Sequence, residues 1–65
     1  MKLQINGMIE ESEAATVALL IAERGLPEGQ VVVERNGAVI KRENWAEAEL
    51  NEGDRIEILR FVGGG

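Results

Sequence analysis

The chain has 65 residues and a formal net charge of −5, and it contains neither cysteine nor histidine. Without these residues it can form no disulfide, no thiolate metal site and no Cys–His or Ser–His catalytic pair. The negative charge argues against a nucleic-acid binder, whose affinity comes largely from lysine and arginine on phosphates, and favours a basic protein partner. The sequence begins with no apolar leader and has no long apolar run, so we expect a cytoplasmic protein that does not enter a membrane.

The first predicted element is a β-hairpin. Residues 2–5 alternate between polar and apolar side chains, which is typical of a strand with one buried face. Asn6-Gly7 follows, and this pair favours a tight type I′ turn because both central residues need a positive φ. Residues 8–11 are then predicted to form the returning strand.

The hydrophobic period changes to that of a helix at about Ala14. We expect one helix of roughly three turns, capped at its start by Thr16 or Ser12 and ended by Gly25, with Pro27 preventing continuation. The carboxylates at 10, 11 and 13 are close in sequence, but we do not interpret them as a catalytic acid/base cluster. We interpret them as favourable charges at the N-terminus of this helix.

The second half of the chain predicts three more strands. Residues 30–34 are rich in β-branched side chains, Asn36-Gly37 marks another tight turn, and residues 38–40 return. Residues 41–51 are polar and irregular, and we expect Trp45 to pack that loop against the core rather than to bind a ligand. A turn at 52–54 leads into a last strand over 55–62.

The order β-β-α-β-β-β favours an α+β fold of the β-grasp (ubiquitin-like) type. In that arrangement one main helix covers one face of a mixed five-stranded sheet, and the first and last strands are parallel neighbours in its middle. We assign residues 1–62 to this domain and residues 63–65 to a flexible glycine arm, since glycine has no side chain to pack and the most backbone entropy to lose.

The register of the last strand predicts which side chains it exposes. If Ile56 and Ile58 face the helix, then Leu59 and Phe61 point to the opposite face and form an apolar patch beside the glycine arm. Two alternatives stay open at this point. A bulge can reverse the register, or the loop that carries Trp45 can cover the patch.

These parts, in this order, resemble the ThiS family of ubiquitin-like sulfur carriers over essentially the whole chain. The similar segments are residues 3–7, 15–20, 33–37, 41–46, 50–57 and 62–65. None of them is specific alone, but their order, the chain length and the glycines at the end of the sequence make the combination specific. Taken alone, three glycines would also suit a flexible tail without a function.

The resemblance implies a carrier that is not itself an enzyme, so we expect no catalytic residue and no metal site. It implies that the carboxylate of Gly65 is adenylated and converted to a thiocarboxylate, while Gly64 and Gly63 give the arm the clearance to enter a narrow channel. Leu59, Phe61 and Val62 are the implied docking contacts. The chain itself would bind no cofactor, because the partner enzyme uses ATP and Mg²⁺.

The resemblance also implies the partners. These are a ThiF-type adenylyltransferase, a ThiG-type thiazole synthase, and a sulfur donor such as a cysteine desulfurase. Three alternatives remain open: the small subunit of molybdopterin synthase, which is usually longer; a carrier for cysteine, methionine or tRNA thiolation; and a ubiquitin-like modifier joined to lysines.

Overall fold

The computed structural model describes residues 1–61, in which five strands form one mixed sheet. The strands are β1 (Lys2–Ile5), β2 (Met8–Glu11), β3 (Val31–Arg35), β4 (Ala38–Ile40) and β5 (Arg55–Arg60). Their order across the sheet is β2-β1-β5-β3-β4. The central strands β1 and β5 are parallel, and every other neighbouring pair is antiparallel. The predicted β-grasp arrangement is therefore confirmed.

Both predicted hairpins form around their Asn-Gly pairs. Asn6 and Gly7 have φ of 50° and 85°, and Asn36 and Gly37 have φ of 52° and 89°. Positive φ at both central positions is the requirement of a type I′ turn, whose twist matches that of the flanking strands. These turns depend only on local sequence, which is why the pattern predicts them correctly.

The single α-helix of residues 1–61, α1, is shorter than the sequence predicts and begins later. It spans Val17–Glu23, about two turns instead of three, so the predicted start at about Ala14 is wrong. The backbone before it is extended and pairs with a distant segment. The Leu50 N–H donates to the Ala15 carbonyl oxygen at 2.9 Å, and the Val17 N–H donates to the Ala48 carbonyl oxygen at 3.0 Å.

The ends of α1 follow the predicted capping rules. Thr16 is the N-cap, and its Oγ1 accepts a hydrogen bond from the Leu19 N–H at 3.2 Å. At the other end Gly25 has φ of 68° and donates its N–H to the Ala22 carbonyl oxygen, while the next N–H reaches back to Ile21. This pair of bonds is a Schellman motif, which needs a left-handed residue at the position of Gly25.

The core lies between α1 and one face of the sheet, and the loop after β4 closes it. Residues 42–47 of that loop form a 3-10 helix, which the polar sequence did not predict. Trp45 is only 2% exposed and its Nε1 donates to the Ile40 carbonyl oxygen at 2.9 Å, so its predicted packing role is confirmed. No helix within residues 1–61 combines the length and the apolar composition that a bilayer crossing requires. The buried apolar side chains are Leu3, Ile5, Ala14, Val17, Leu20, Ile21, Val31, Val33, Trp45, Leu50, Ile56 and Ile58.

Three strand boundaries differ from the predicted ones, and one of them is the end of β3, which lies at Arg35 and not at residue 34. Gln30 belongs to a 3-10 helix over Glu28–Gln30, so β3 begins one residue later than expected. The last strand was predicted to continue to residue 62, but β5 ends at Arg60 and Phe61 follows it outside regular structure.

Candidate functional site

The predicted site consists of the end of β5 and the glycine arm (residues 63–65). Val62, Gly63, Gly64 and Gly65 lie outside the described residues, so their predicted roles stay predictions. The described part of the site ends at Phe61. Its geometry fixes where the chain leaves the sheet.

On one side, β5 is held by β3 up to its last residue. The pairing register runs without a bulge from Arg35 opposite Ile56 to Val31 opposite Arg60. The Phe61 N–H then donates to the carbonyl oxygen of Gln30 at 2.8 Å. The chain is therefore hydrogen-bonded on the β3 side through residue 61.

On the other side, β1 stops before β5 does, and a side chain continues the pairing. The last register pair of these strands is Ile5 with Ile56. Beyond it, Oδ1 of Asn6 accepts the Ile58 N–H at 2.8 Å and Nδ2 of Asn6 donates to the Ile58 carbonyl oxygen at 3.3 Å. One amide thus satisfies both backbone groups of Ile58.

The outer face of the sheet, opposite α1, exposes the predicted docking patch, an apolar pair formed by Leu59 and Phe61. Their side chains are 52% and 61% exposed, and Val32 lies directly across from Leu59. The predicted orientation is confirmed, because Ile56 and Ile58 are buried on the inner face. Neither open alternative applies, since the register has no bulge and Trp45 is buried in the core.

The same outer face carries a pair of like charges. Glu34 on β3 lies directly opposite Glu57 on β5. Both line a shallow cavity of about 250 Å³ together with Arg55. Directly opposed like charges on neighbouring strands are destabilising, and a cation brought by a partner would relieve the repulsion. The cavity on this face therefore brings together two carboxylates and one guanidinium.

The inner side of the strand end differs in charge. A groove of about 440 Å³ between β5 and the end of α1 is lined by two arginines, Arg24 and Arg60, with Asn6, Leu26 and Ile58. Arg24 Nη1 lies 3.0 Å from an Oε1 of Glu10. Arg24 is therefore partly neutralised by Glu10, and Arg60 is the other arginine that lines this groove.

The carboxylates before the helix have other roles than the predicted one. Glu10 pairs with Arg24, just past the C-terminal end of α1, and Glu11 lies 3.6 Å from the terminal amine of Met1. The first turn of α1 contains no acidic residue, and Glu10 and Glu11 belong to β2, so the interpretation of these two as charges at the helix N-terminus is wrong. Within residues 1–61, no three acidic side chains come together as a group that could hold a metal ion.

Comparison with known proteins decides the family. The model of the ThiS family matches residues 3–65. The sulfur carrier protein ThiS of Bacillus subtilis is 42% identical over 65 residues, which cover 97% of this chain and 98% of that protein. The chain belongs to the ThiS family. The chain also resembles a crystal structure of the thiamine biosynthesis protein ThiS from Geobacter metallireducens. The two sequences are 33% identical, and the superposition covers 100% of both chains with a TM-score of 0.82.

Two further relatives of this ThiS family member are much longer proteins. The thiazole synthases of Paramagnetospirillum magneticum and Magnetococcus marinus are 41% and 42% identical to it over its full length. The chain spans only 20% of each of them. A segment similar to this chain therefore occurs within those thiazole synthase polypeptides.

Sequence reasoning missed the contribution of Asn6 to the site. The Asn-Gly pair correctly predicts the turn. A turn alone is a sufficient reason for an asparagine at position 6, so the sequence gives no cause to expect a further contact of its side chain. The hydrogen bonds to Ile58 join residues 52 apart in sequence, so no local pattern could indicate them. The only available signal was the predicted parallel pairing of the first and last strands.

Proposed function

We propose that this ThiS family member is a sulfur carrier of thiamin biosynthesis and not itself an enzyme. The observation that carries the proposal is its similarity, over nearly the full length of both chains, to the Bacillus subtilis sulfur carrier protein. The group that carries the sulfur is the C-terminal carboxyl group of Gly65. Gly64 and Gly63 are the residues that let the arm enter a narrow active site. Residues 1–62 form the folded domain and residues 63–65 the arm.

The proposed chemistry explains why an activating enzyme is required. A carboxylate is a poor electrophile, so a ThiF-type adenylyltransferase joins it to the α-phosphate of ATP and releases pyrophosphate. The resulting acyl adenylate is a mixed anhydride with AMP as a good leaving group. The terminal sulfur of a persulfide on a donor such as a cysteine desulfurase displaces AMP and forms an acyl disulfide. A thiol then attacks the donor's sulfur of that disulfide, so a new disulfide forms on the donor side and a thiocarboxylate is left on Gly65. ATP and Mg²⁺ belong to the partner, and this chain supplies the acyl group.

We assign partner docking to Leu59, Phe61 and Val62. The exposed Leu59 and Phe61 side chains support this role, because they lie immediately before the arm that a partner must grip. The opposed Glu34 and Glu57 add negative charge to the same face. Such a face steers association with a basic surface and contributes more to the association rate than to affinity.

We also propose that a ThiG-type thiazole synthase receives the sulfur. The two thiazole synthase relatives support this partnership, because each contains a segment similar to this chain within its own polypeptide. Two functions that occur in one chain in some organisms commonly act together when the chains are separate. We place these reactions in the cytoplasm and expect no role for nucleic acid or membrane.

Intact-mass spectrometry tests the proposal. After incubation with the adenylyltransferase, ATP and a sulfur donor, the protein should gain the mass of one sulfur minus one oxygen, and fragmentation should place the change on Gly65. A variant that lacks Gly65 should show no gain while its circular dichroism spectrum is unchanged. An unmodified wild-type mass beside a control carrier that reacts would refute the proposal. Conjugates to lysine in place of the mass gain would instead indicate a modifier.

A further inference from the structure

The backbone groups of β5 that face β1 are satisfied in a regular series. The carbonyl oxygen of Asp54 accepts the Gln4 N–H at 2.9 Å, and that of Ile56 accepts the Asn6 N–H at 2.9 Å. The next residue on this side is Ile58, but the chain turns away at Gly7 and β1 has no further residue to offer. The Asn6 amide supplies the acceptor and the donor that a longer β1 would have provided.

The turn alone does not require this contact. A type I′ turn accepts glycine or aspartate at its first central position, so the left-handed φ of Asn6 explains its backbone but not its side chain. The second Asn-Gly turn gives an internal comparison. Oδ1 of Asn36 accepts the Arg55 N–H at 2.9 Å, and Nδ2 donates to Asp54 at 3.1 Å. Each of the two Asn-Gly turns therefore bonds a backbone N–H of β5, that of Ile58 for Asn6 and that of Arg55 for Asn36.

We propose that Asn6 is a positioning residue for the carrier reaction: its amide fixes the backbone of Ile58 and thereby the direction in which the chain leaves the sheet toward Gly65. The inference rests on the proposed carrier function and assigns to Asn6 no contact with the partner. Beyond Ile58, the described chain has hydrogen bonds to β3 and Gln30 but none from β1. Ile58 is thus the last point at which both sides of the strand are held.

Loss of the amide would let the strand end pivot about its β3 side. The positions of Leu59 and Phe61 relative to the sheet would then vary. Positioning a reacting group accounts for a large part of catalysis, and a misplacement of about 1 Å can lower a rate by about 100-fold. The carrier presents the reacting carboxylate, so a less ordered strand end would lower the rate at which the partner enzyme adenylates it.

The experiment compares Asn6→Gly with Asn36→Gly. Both substitutions keep a residue that suits the turn, and each removes two side-chain hydrogen bonds at one end of β5. Amide hydrogen exchange by NMR should show Ile58 exchanging at least about tenfold faster in Asn6→Gly and Arg55 doing so in Asn36→Gly. For pyrophosphate release with the adenylyltransferase, kcat/KM of Asn6→Gly should be about tenfold lower than that of the wild type, and kcat should also be lower. The kcat/KM of Asn36→Gly should stay within about twofold of the wild-type value.

Two results would overturn the inference. One is a wild-type kcat/KM for Asn6→Gly, and another is an equal loss in both variants, which would follow stability instead of position. Asn6→Asp, which keeps the acceptor for the Ile58 N–H and tolerates a left-handed φ, should give an intermediate loss and replaces Asn6→Gly if that variant does not fold. Failure of the wild-type protein to be adenylated would instead refute the carrier function itself, whatever the exchange rate of Ile58.

Discussion

Replacement of Leu59 by alanine tests whether the docking patch contributes to partner binding. Burying a leucine side chain fully is worth about 1.5–3 kcal/mol. Leu59 is 52% exposed, so about half of that burial is still available to an interface. The loss on truncation is then about 0.8–1.6 kcal/mol, which raises the dissociation constant about 4- to 14-fold, since 1.4 kcal/mol corresponds to tenfold.

The chain contains a matched control for this substitution. Leu19 on α1 is 53% exposed, so Leu19→Ala removes the same atoms from a side chain with the same solvent exposure. Its helix packs on the inner face of the sheet, away from the patch. Both variants should lose similar stability, and only Leu59→Ala should weaken binding to the adenylyltransferase. We expect the dissociation constant of Leu19→Ala to stay within about twofold of wild type.

Isothermal titration calorimetry with the adenylyltransferase measures the affinity, and urea unfolding of each free variant measures stability. The stability measurement matters because a partly unfolded carrier also binds more weakly. The reasoning is refuted if Leu59→Ala binds the adenylyltransferase as tightly as the wild-type protein does. It is also refuted if both lose affinity equally, because exposure alone would then explain the loss and the position of Leu59 would not.

Three further substitutions test features of the fold. Thr16→Ala removes the hydrogen bond to the Leu19 N–H and should lower the free energy of unfolding by about 1 kcal/mol, so an unchanged urea midpoint would contradict the capping role. Gly25→Ala places an alanine at a φ of 68° and should cost about 1–2 kcal/mol by the same assay, and a neutral result would contradict the strain argument. Glu34→Gln removes the repulsion from Glu57 and should raise the melting temperature by the equivalent of about 0.2–1 kcal/mol. This gain should shrink at about 1 M salt, and a salt-independent gain would show that charge is not its cause.

The sequence predicts well those features that nearby residues determine. The Asn-Gly turns and the period-two alternation of the first and last strands each depend on a few adjacent residues. The orientation of Leu59 follows from the same alternation once Ile56 and Ile58 are placed inside. This is why part of the candidate site could be predicted together with the strand that carries it.

The predictions that failed depend on contacts between distant segments. Ala14 and Ala15 are good helix formers, but the backbone there pairs with the loop after β4, and this pairing outweighs a propensity difference of less than 1 kcal/mol per residue. The 3-10 helix over Arg42–Glu47 was likewise not predicted from its polar sequence, although the packing of its Trp45 against the core was. Local patterns contain no information about such partners.

The position of β5 in the sheet suits it to carry the arm. It is the central strand, with β1 on one side and β3 on the other, whereas β2 and β4 are edge strands with one neighbour each. Edge strands and chain ends open locally at low free energy, while central strands open only with much of the fold. An arm attached to β2 or β4 would begin at a fraying strand, and its orientation would vary. On β5 the hydrogen bonds of β3 and of Asn6 extend the rigid part of the sheet to Ile58. The proposed docking of a partner on Leu59 and Phe61 would therefore also fix where the residues after Phe61 begin.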